Sequence, residues 1–154
     1  MEFKKILFPI DFSEASPKIV PYVTEMADKF NSEIHVLFVA RAFQYFTTIY
    51  VPHPSVDLFE SAIVDGGRKS IEEFTEKYFK EPEKIIISIV NGDAAEEIIN
   101  YINEKDIDLL IMGTHGRKGI DKLIFGSVAE KVTKATPIPM MLIKPYKTKK
   151  IIDA

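Results

Sequence analysis

The chain has 154 residues, the length of a single compact domain. Hydrophobic residues make up 46% of it and charged residues 28%, which excludes the composition of an intrinsically disordered chain. A formal net charge of -3 provides no broad basic surface for nucleic acid, and the absence of cysteine excludes disulfides, thiol catalysis and thiolate metal sites.

The first residues predict a protein that is not exported. Lys4-Lys5 is followed by only five residues before Asp11, too few for the apolar segment of a signal peptide. Elsewhere in the sequence, no apolar run approaches the roughly 20 residues that cross a bilayer. We therefore expect a cytoplasmic protein that binds neither membranes nor nucleic acid.

Five short apolar runs predict five buried strands. They cover residues 6–10, 34–40, 85–90, 109–112 and the stretch from Ile138 to Ile143. Runs without polar alternation are typical of strands covered on both faces, as in a parallel sheet between helices. Pro139 in the last run indicates an edge strand, because proline cannot donate a hydrogen bond to the ladder.

Helical spacing predicts the first two connections between these strands. Apolar residues recur every three to four positions over residues 19–30, with Ser13 or Ser16 as a possible cap. A second apolar stripe covers residues 56–78, although Gly66-Gly67 weakens the middle of this helix and allows a bend there. Both segments are therefore predicted as amphipathic helices.

Two pairs with capping-box spacing predict the starts of the last two helices. They are Asp93 with Glu96 and Ser127 with Glu130. Strands then alternate with helices along the chain, and right-handed crossovers place helices on both faces of the sheet. The predicted fold is α/β, with an open, doubly wound, five-stranded parallel sheet.

The longest predicted connection runs from Arg41 to Ser55 and is interpreted as a flap over the sheet edge. Its aromatic side chains offer contacts to a partner. They are Phe43, Tyr45, Phe46 and Tyr50. We expect one domain over residues 1–146, followed by a loosely held tail over residues 147–154.

A glycine-rich segment, Met112-Gly113-Thr114-His115-Gly116-Arg117-Lys118-Gly119, follows the fourth predicted strand. Ligands of open α/β sheets bind beyond the carboxyl ends of the strands, where this segment begins. Gly113 and Gly116 have no side chain to block the approach of backbone N–H groups to an anion. His115 and Arg117 add a donor and a positive charge. A plain turn is the alternative interpretation.

The start of the fourth helix completes the predicted anion site. Gly126 lets a phosphate group approach Ser127 and Val128, whose N–H groups have no helical partner and lie at the positive end of the helix dipole. Asp11 follows the first strand and has three candidate roles. It accepts from ribose or adenine, helps to hold Mg2+, or caps the first helix.

The histidines are not spaced like metal ligands. His35 lies within an apolar run, which predicts a hydrogen-bonded core residue. His53 lies in a loop between two prolines and is interpreted as solvated. Only His115, in the glycine-rich segment, is a candidate for ligand binding.

A pattern of ATP-binding universal stress proteins, Gly-x2-Gly-x9-Gly-Ser/Thr, is reproduced by Gly113, Gly116, Gly126 and Ser127. The resemblance to this family extends from Lys4-Lys5-Ile6-Leu7-Phe8-Pro9-Ile10-Asp11 to Pro137-Ile138-Pro139-Met140-Met141-Leu142-Ile143, so it covers nearly the whole chain. It implies a sheet order of 3-2-1-4-5, with the nucleotide over strands one and four.

The resemblance also implies roles for individual residues toward ATP, which we expect to bind with Mg2+. Pro9 and Asp11 border the ribose and base, Val39 meets adenine, and Met112 lies on the ribose side. The phosphates are held by Gly116, Gly126, Ser127 and Val128. The complete predicted set is Pro9, Ile10, Asp11, Val39, Met112, Gly113, His115, Gly116, Arg117, Gly126, Ser127 and Val128.

The resemblance further implies a homodimer, formed by antiparallel pairing of the last strands. A symmetric partner would also cover an apolar sheet edge that is otherwise prone to aggregate. We expect a nucleotide-responsive dimeric module of the stress response that presents a surface to another protein. The alternatives are a slow ATPase or related hydrolase, and a nucleotide-free scaffold. The sequence has no Gly-x4-Gly-Lys-Ser/Thr loop, so we assign no catalytic residues.

Overall fold

A computed structural model describes residues 1–41, 54–115 and 126–146, with the backbone alone for residues 54–60. Several predictions fall outside these ranges. They concern the aromatic residues of the Arg41 to Ser55 connection, His53, Gly116, Arg117 and the tail. Within the described ranges, no helix is both long and apolar enough to span a bilayer.

Strands and helices alternate in the predicted order. The strands are β1 (Lys5–Ile10), β2 (Glu33–Ala40), β3 (Ile85–Asn91), β4 (Leu109–Gly113) and β5 (Met140–Ile143). The helices are α1 (Ser16–Phe30), α2 (Pro54–Tyr78), α3 (Ala94–Lys105) and α4 (Ser127–Ala135), and a single 3-10 turn, Pro82–Lys84, precedes β3.

The five strands form one parallel sheet in the order β3-β2-β1-β4-β5, which confirms the predicted fold. The chain extends the sheet in one direction from β1 to β3 and then crosses back to place β4 on the other side of β1. The connections that follow β1 and β4 therefore leave toward opposite faces, and a crevice opens between them at the carboxyl edge.

Alternate residues of each strand fill two separate cores. On one face, Phe8 and Val36 are fully buried in a cluster with residues of α1 and α2. On the other face, Leu7 and Leu37 are fully buried in a cluster with residues of α3 and α4. The strands are therefore apolar on both sides, which explains why their sequences show no polar alternation.

The start of α1 differs from the prediction that Ser13 or Ser16 caps it. Ala15 occupies the cap position, and no side chain caps the helix there. Ser16 is already the first helical residue, and its hydroxyl donates to Asp11 Oδ1 at 3.2 Å. The Asp11 carboxylate also accepts from the Ser13 N–H at 3.0 Å, so Asp11 organises the turn before the helix.

The last two helices begin in different ways. Asp93 caps α3 as predicted, because its Oδ1 accepts from Ala95 N and Glu96 N, both at 3.1 Å. For α4, the cap position is Gly126 and no side chain caps the helix, so the predicted capping role of Ser127 is wrong. Ser127 is the first helical residue, one position beyond the place from which its hydroxyl could cap.

Two further details, the middle of α2 and the start of β5, differ from the predictions. Helix α2 continues through Gly66-Gly67, and a Cβ atom at Gly67 would lie 3.3 Å from a ring carbon of Phe38. Glycine therefore lets α2 lie close to the sheet. Strand β5 begins two residues later than predicted, because Ile138 lies in a turn in which Thr136 Oγ1 contacts both its N–H and its carbonyl group.

Candidate functional site

A cleft with a volume of about 360 Å³ opens at the carboxyl ends of β1 and β4. This volume is at the lower end of the range of roughly 300–1,000 Å³ that is usual for small-molecule sites. Ten of the twelve predicted binding residues line it. They are Pro9, Ile10, Asp11, Val39, Met112, Gly113, His115, Gly126, Ser127 and Val128. The other two, Gly116 and Arg117, lie outside the described residues.

Two glycines that line the cleft lie close to neighbouring atoms. A Cβ atom at Gly113 would lie 2.8 Å from Ile19 Cδ1 and 3.2 Å from the His115 carbonyl oxygen. A Cβ atom at Gly126 would lie 3.2 Å from the Thr114 carbonyl oxygen. A side chain at Gly126 would press on the segment after β4, and one at Gly113 would press on Ile19 of α1 and on the His115 carbonyl, so glycine at both positions permits the close approach of these segments.

Thr114 connects the cleft to the outer strand of the sheet. Its N–H donates to the Ile143 carbonyl of β5 at 3.0 Å, and its carbonyl accepts from the Gly126 N–H at 2.7 Å. The N–H of Gly126 is therefore used within the protein. For an anion in the cleft, Gly126 could therefore offer only space, and the available donors would be the N–H groups that follow it.

The first turn of α4 supplies those donors. The first hydrogen bond of the helix runs from Glu130 N to the Gly126 carbonyl at 3.0 Å. The N–H groups of Ser127 and Val128 precede it and have no carbonyl partner within the helix. Both residues line the cleft, so the positive end of the helix dipole faces the cavity.

Asp11 lines the same cleft, in the turn that follows β1. Among the cleft-lining residues that the structure describes, it is the only carboxylate. Its neighbour Phe12 adopts a left-handed backbone conformation with φ of 58° and packs against Phe38 with ring centroids 4.6 Å apart. A left-handed non-glycine residue is uncommon and costs roughly 1–3 kcal/mol, so surrounding contacts hold this turn in place.

Three buried side-chain atoms in the described ranges have no hydrogen-bond partner: Ser13 Oγ, Asn91 Oδ1 and His115 Nε2. All three residues lie at or just beyond the carboxyl end of a strand, and Ser13 and His115 line the cleft. A buried polar atom without a partner costs about 1–3 kcal/mol. A buried atom of this kind calls for an explanation, such as a bound water, an ion or a functional role. Ser13 and Asn91 were not among the predicted site residues.

His115 is held from one side only. Its Nδ1 lies 2.9 Å from Thr114 Oγ1, and Thr114 is 4% exposed. His35, in contrast, has oxygen partners for both ring nitrogens, which confirms its interpretation as a satisfied core residue. Within the residues described, no cluster of three His, Asp or Glu side chains has the arrangement of a metal site.

The sequence is similar to known proteins along most of its length. A model of the universal stress protein family matches residues 2–144. The chain is 28% identical over 147 residues to the universal stress protein YxiE of Bacillus subtilis, covering 92% of this chain and 99% of YxiE. It is also 28% identical over 154 residues to the universal stress protein MJ0577 of Methanocaldococcus jannaschii, covering 92% of this chain and 95% of that protein.

Solved structures show the same architecture. The structure of MJ0577 superposes with a TM-score of 0.77 at 28% identity, covering 96% of this chain and 100% of the other. A universal stress protein in complex with cAMP superposes with a TM-score of 0.64 at 16% identity, covering 95% and 100% of the two chains. At that identity, the second likeness shows the shared fold alone.

Proposed function

Because this chain belongs to the universal stress protein family, we propose that it binds an adenine nucleotide, ATP with Mg2+, in the cleft at the carboxyl ends of β1 and β4. The observation that supports this proposal is a combination of three features in one cleft. The cleft combines the open first turn of α4, two glycines that leave no room for a side chain, and buried polar atoms without partners. Each of these features suits a phosphate group.

The residues in the cleft suit the parts of the nucleotide. The N–H groups of Ser127 and Val128 would donate to phosphate oxygens, which only accept hydrogen bonds. Asp11 would face the ribose or the metal ion, in addition to its role in the β1–α1 turn, and Val39 would lie against adenine. Mg2+ would supply charge neutralisation of the phosphates. Gly116 and Arg117 belong to this proposed set on the sequence pattern alone.

The nucleotide would act as a signal in a cytoplasmic stress response. We further propose a homodimer through β5, the edge strand whose Met140, Met141 and Leu142 are only partly buried. A second copy of the strand would cover this apolar edge. Binding would alter the surface that the dimer presents to another protein. A solved universal stress protein that holds cAMP is consistent with an adenine nucleotide as the ligand.

The nucleotide proposal is tested by thermal unfolding of the purified chain with ATP, ADP, AMP and cAMP. A ligand present at 100 times its Kd stabilises a protein by about 2.7 kcal/mol, so the unfolding temperature should rise by several degrees. Mass spectrometry of the purified protein would identify any nucleotide that copurifies. A parent protein that shows no shift with any of the four ligands would contradict the proposal.

A pair of variants locates the binding site. Gly126→Val together with Ser127→Ala should abolish the shift, because the valine side chain would fill the space next to the Thr114 carbonyl. Gly66→Ala, on a helix surface with no atom within 4 Å of its Cβ position, is the matched control and should keep the full shift. Sedimentation velocity of the parent chain tests the dimer, and a monomer at all concentrations would contradict that part.

A further inference from the structure

Strand β3 forms the edge of the sheet opposite β5. Its inner side pairs with β2 over all seven residues, and no strand within the described ranges pairs with its outer side. None of its residues is fully buried, and Ile86 is 38% exposed. Natural proteins protect edge strands with charges or prolines, or keep them very short. Strand β3 contains neither a charge nor a proline, so its edge is open to another strand.

Strand β5, at the other edge, has the protections that β3 lacks. It has only four residues, Pro139 directly precedes it, and Lys144 directly follows it. By this criterion β3 is the less protected edge of the sheet.

The backbone groups on the outer side of β3 come from alternate residues. The Gly92 N–H donates to the Ala40 carbonyl at 3.0 Å, so the even-numbered residues of the strand direct their N–H and C=O groups toward β2. Each odd-numbered residue offers one donor and one acceptor to the outside. These residues are Ile85, Ile87, Ile89 and Asn91.

The sequence of β3 is nearly symmetric about Ser88. An antiparallel pair of two β3 strands centred on Ser88 places similar apolar residues opposite each other. They are Ile87 with Ile89 of the other copy, and Ile86 with Val90 of the other copy. In this register the odd-numbered residues form the hydrogen-bonded pairs, and Ser88 faces its counterpart in a non-hydrogen-bonded pair. A second copy of the strand therefore satisfies the outer backbone groups and opposes no like charges.

Helix α2 lies at the distance from this edge that a symmetric pair requires. It lies over the boundary between β2 and β3, because a Cβ atom at Gly67 would lie 3.3 Å from a ring carbon of Phe38 and 3.6 Å from Ile89 Cδ1. Two copies paired through β3 would then hold their α2 helices about two strand spacings apart, or roughly 9–10 Å. Packed helices are usually separated by this distance.

Exposed charges of α2 lie on the side of the helix toward this edge. Gly67 faces the sheet, and Phe74 lies toward β1, where its ring contacts Phe8 with centroids 6.3 Å apart. Arg68 and Glu72 are both exposed and lie on the other side of the helix from Phe74. They therefore face a helix that packs beside α2 at the edge.

The two-fold axis would bring these opposite charges together. Gly67 lies beside Ile89, one residue from the axis at Ser88. The two α2 helices are antiparallel across the axis, so Arg68 of one copy lies near Glu72 of the other. Symmetry repeats this contact, which gives two ion pairs between the copies.

We propose that the outer edge of β3 is a self-association surface, on which a second copy of the chain pairs antiparallel about Ser88 and packs α2 against α2. This surface goes beyond the proposed function, because it uses neither the cleft nor β5. With both edges paired, copies of the chain would form one continuous sheet longer than a dimer.

Sedimentation velocity of two charge variants tests the contact between the helices. Arg68→Glu and Glu72→Arg each create two like-charge contacts, so each variant alone should associate about tenfold more weakly than the parent. An equimolar mixture forms opposite-charge contacts again and should return to within about threefold of the parent dissociation constant. Lys69→Glu, which reverses the next charge on the solvent side of α2, is the matched control and should behave as the parent.

Disulfide cross-linking tests the register. The chain has no cysteine, so a disulfide in a single-cysteine variant joins two copies. Ser88→Cys should cross-link under mild oxidation, because the Cα atoms of a non-hydrogen-bonded pair are about 4.5 Å apart, within the range of disulfides. Ile86→Cys is the control and should not cross-link, because its counterpart lies four residues away along the pair, at roughly 13 Å.

The outcomes separate this surface from the β5 dimer. The inference requires both the recovery of association in the mixture and the cross-link of Ser88→Cys. If the parent associates but the mixture behaves as the average of its two components, the inference fails while the β5 dimer stands. If Ser88→Cys stays monomeric on denaturing gels, the inference fails and the edge is left for an extended segment of another protein. A parent that is monomeric at all concentrations contradicts both surfaces, but not the nucleotide site.

Discussion

His35 lies within the parallel sheet and His115 just beyond its carboxyl edge, and the two differ in how many of their ring nitrogens have hydrogen-bond partners. His35 Nε2 lies 2.7 Å from Glu33 Oε1, and its Nδ1 lies 2.8 Å from Tyr101 Oη, which in turn lies 2.9 Å from Ser88 Oγ. His115 has a partner for Nδ1 and none for Nε2. A buried polar group that is fully paired contributes to the fold, whereas one that is half paired costs stability until a water, an ion or a ligand supplies the missing partner.

The direction of hydrogen bonds around His35 follows from the acceptor at one end. A carboxylate only accepts, so the proton of the neutral ring lies on Nε2, and Nδ1 accepts from the Tyr101 hydroxyl. The Tyr101 oxygen then accepts from Ser88. Tyr101 is 4% exposed, and its hydroxyl serves two partners at once. The network therefore connects β2, β3 and α3 through one oxygen atom.

The largest loss of stability should come from Tyr101→Phe. The substitution keeps the ring in the core but leaves His35 Nδ1 and Ser88 Oγ without their shared partner. We expect the free energy of unfolding to fall by about 2–3 kcal/mol, measured by urea denaturation. A change below about 0.5 kcal/mol would show that this network does not stabilise the fold.

A smaller loss should follow from His35→Leu, about 1–2 kcal/mol by the same measurement. The Tyr101 hydroxyl keeps Ser88 as a partner in this variant, and Glu33 is exposed enough for water to replace the ring. The double variant with Tyr101→Phe should lose less than the sum of the two single losses, because both remove the same hydrogen bond. Additive losses would contradict a direct coupling between these two side chains.

The smallest loss of stability, namely none, should come from Asn91→Leu at the carboxyl edge. Asn91 Oδ1 is buried without a partner, so the substitution removes no hydrogen bond that this oxygen makes. The free energy of unfolding should stay the same or rise, by up to about 1–3 kcal/mol, because the substitution removes an unpaired buried oxygen. His35→Leu serves as the matched control, with the same new side chain at a fully paired position. A fall in the free energy of unfolding as large as that of His35→Leu would contradict the distinction between fully paired and unpaired buried side chains.

Much of the architecture was predictable because burial on both faces of a sheet leaves a local pattern. The apolar runs before Asp11 and Gly113 identify β1 and β4, and a glycine segment after a strand predicts a cleft at that edge. The capping position of Asp93 was also correct. These features depend on neighbouring residues, which the sequence presents in order.

The remainder depends on distant contacts. The unpaired hydroxyl of Ser13 and the backbone contacts of Thr114 were not predicted, since a serine in a turn and a threonine after a strand are ordinary residues until tertiary packing shows which of their groups have partners. The predicted serine caps of α1 and α4 were wrong for a related reason, because contacts outside each helix involve the groups at its start. In α1, the Ser16 hydroxyl donates a hydrogen bond to the Asp11 carboxylate, five residues earlier in the chain. In α4, the N–H of Gly126, the residue before the helix, donates a hydrogen bond to the Thr114 carbonyl.

The backbone of Thr114 has a mechanical consequence. One residue joins the outermost strand of the sheet to the start of α4, through a donor on one side and an acceptor on the other. These two hydrogen bonds link the start of α4 to β5 through the backbone of a single residue, with no intervening side chain. We therefore expect that a displacement of the first turn of α4 would also change the hydrogen bond between Thr114 and β5.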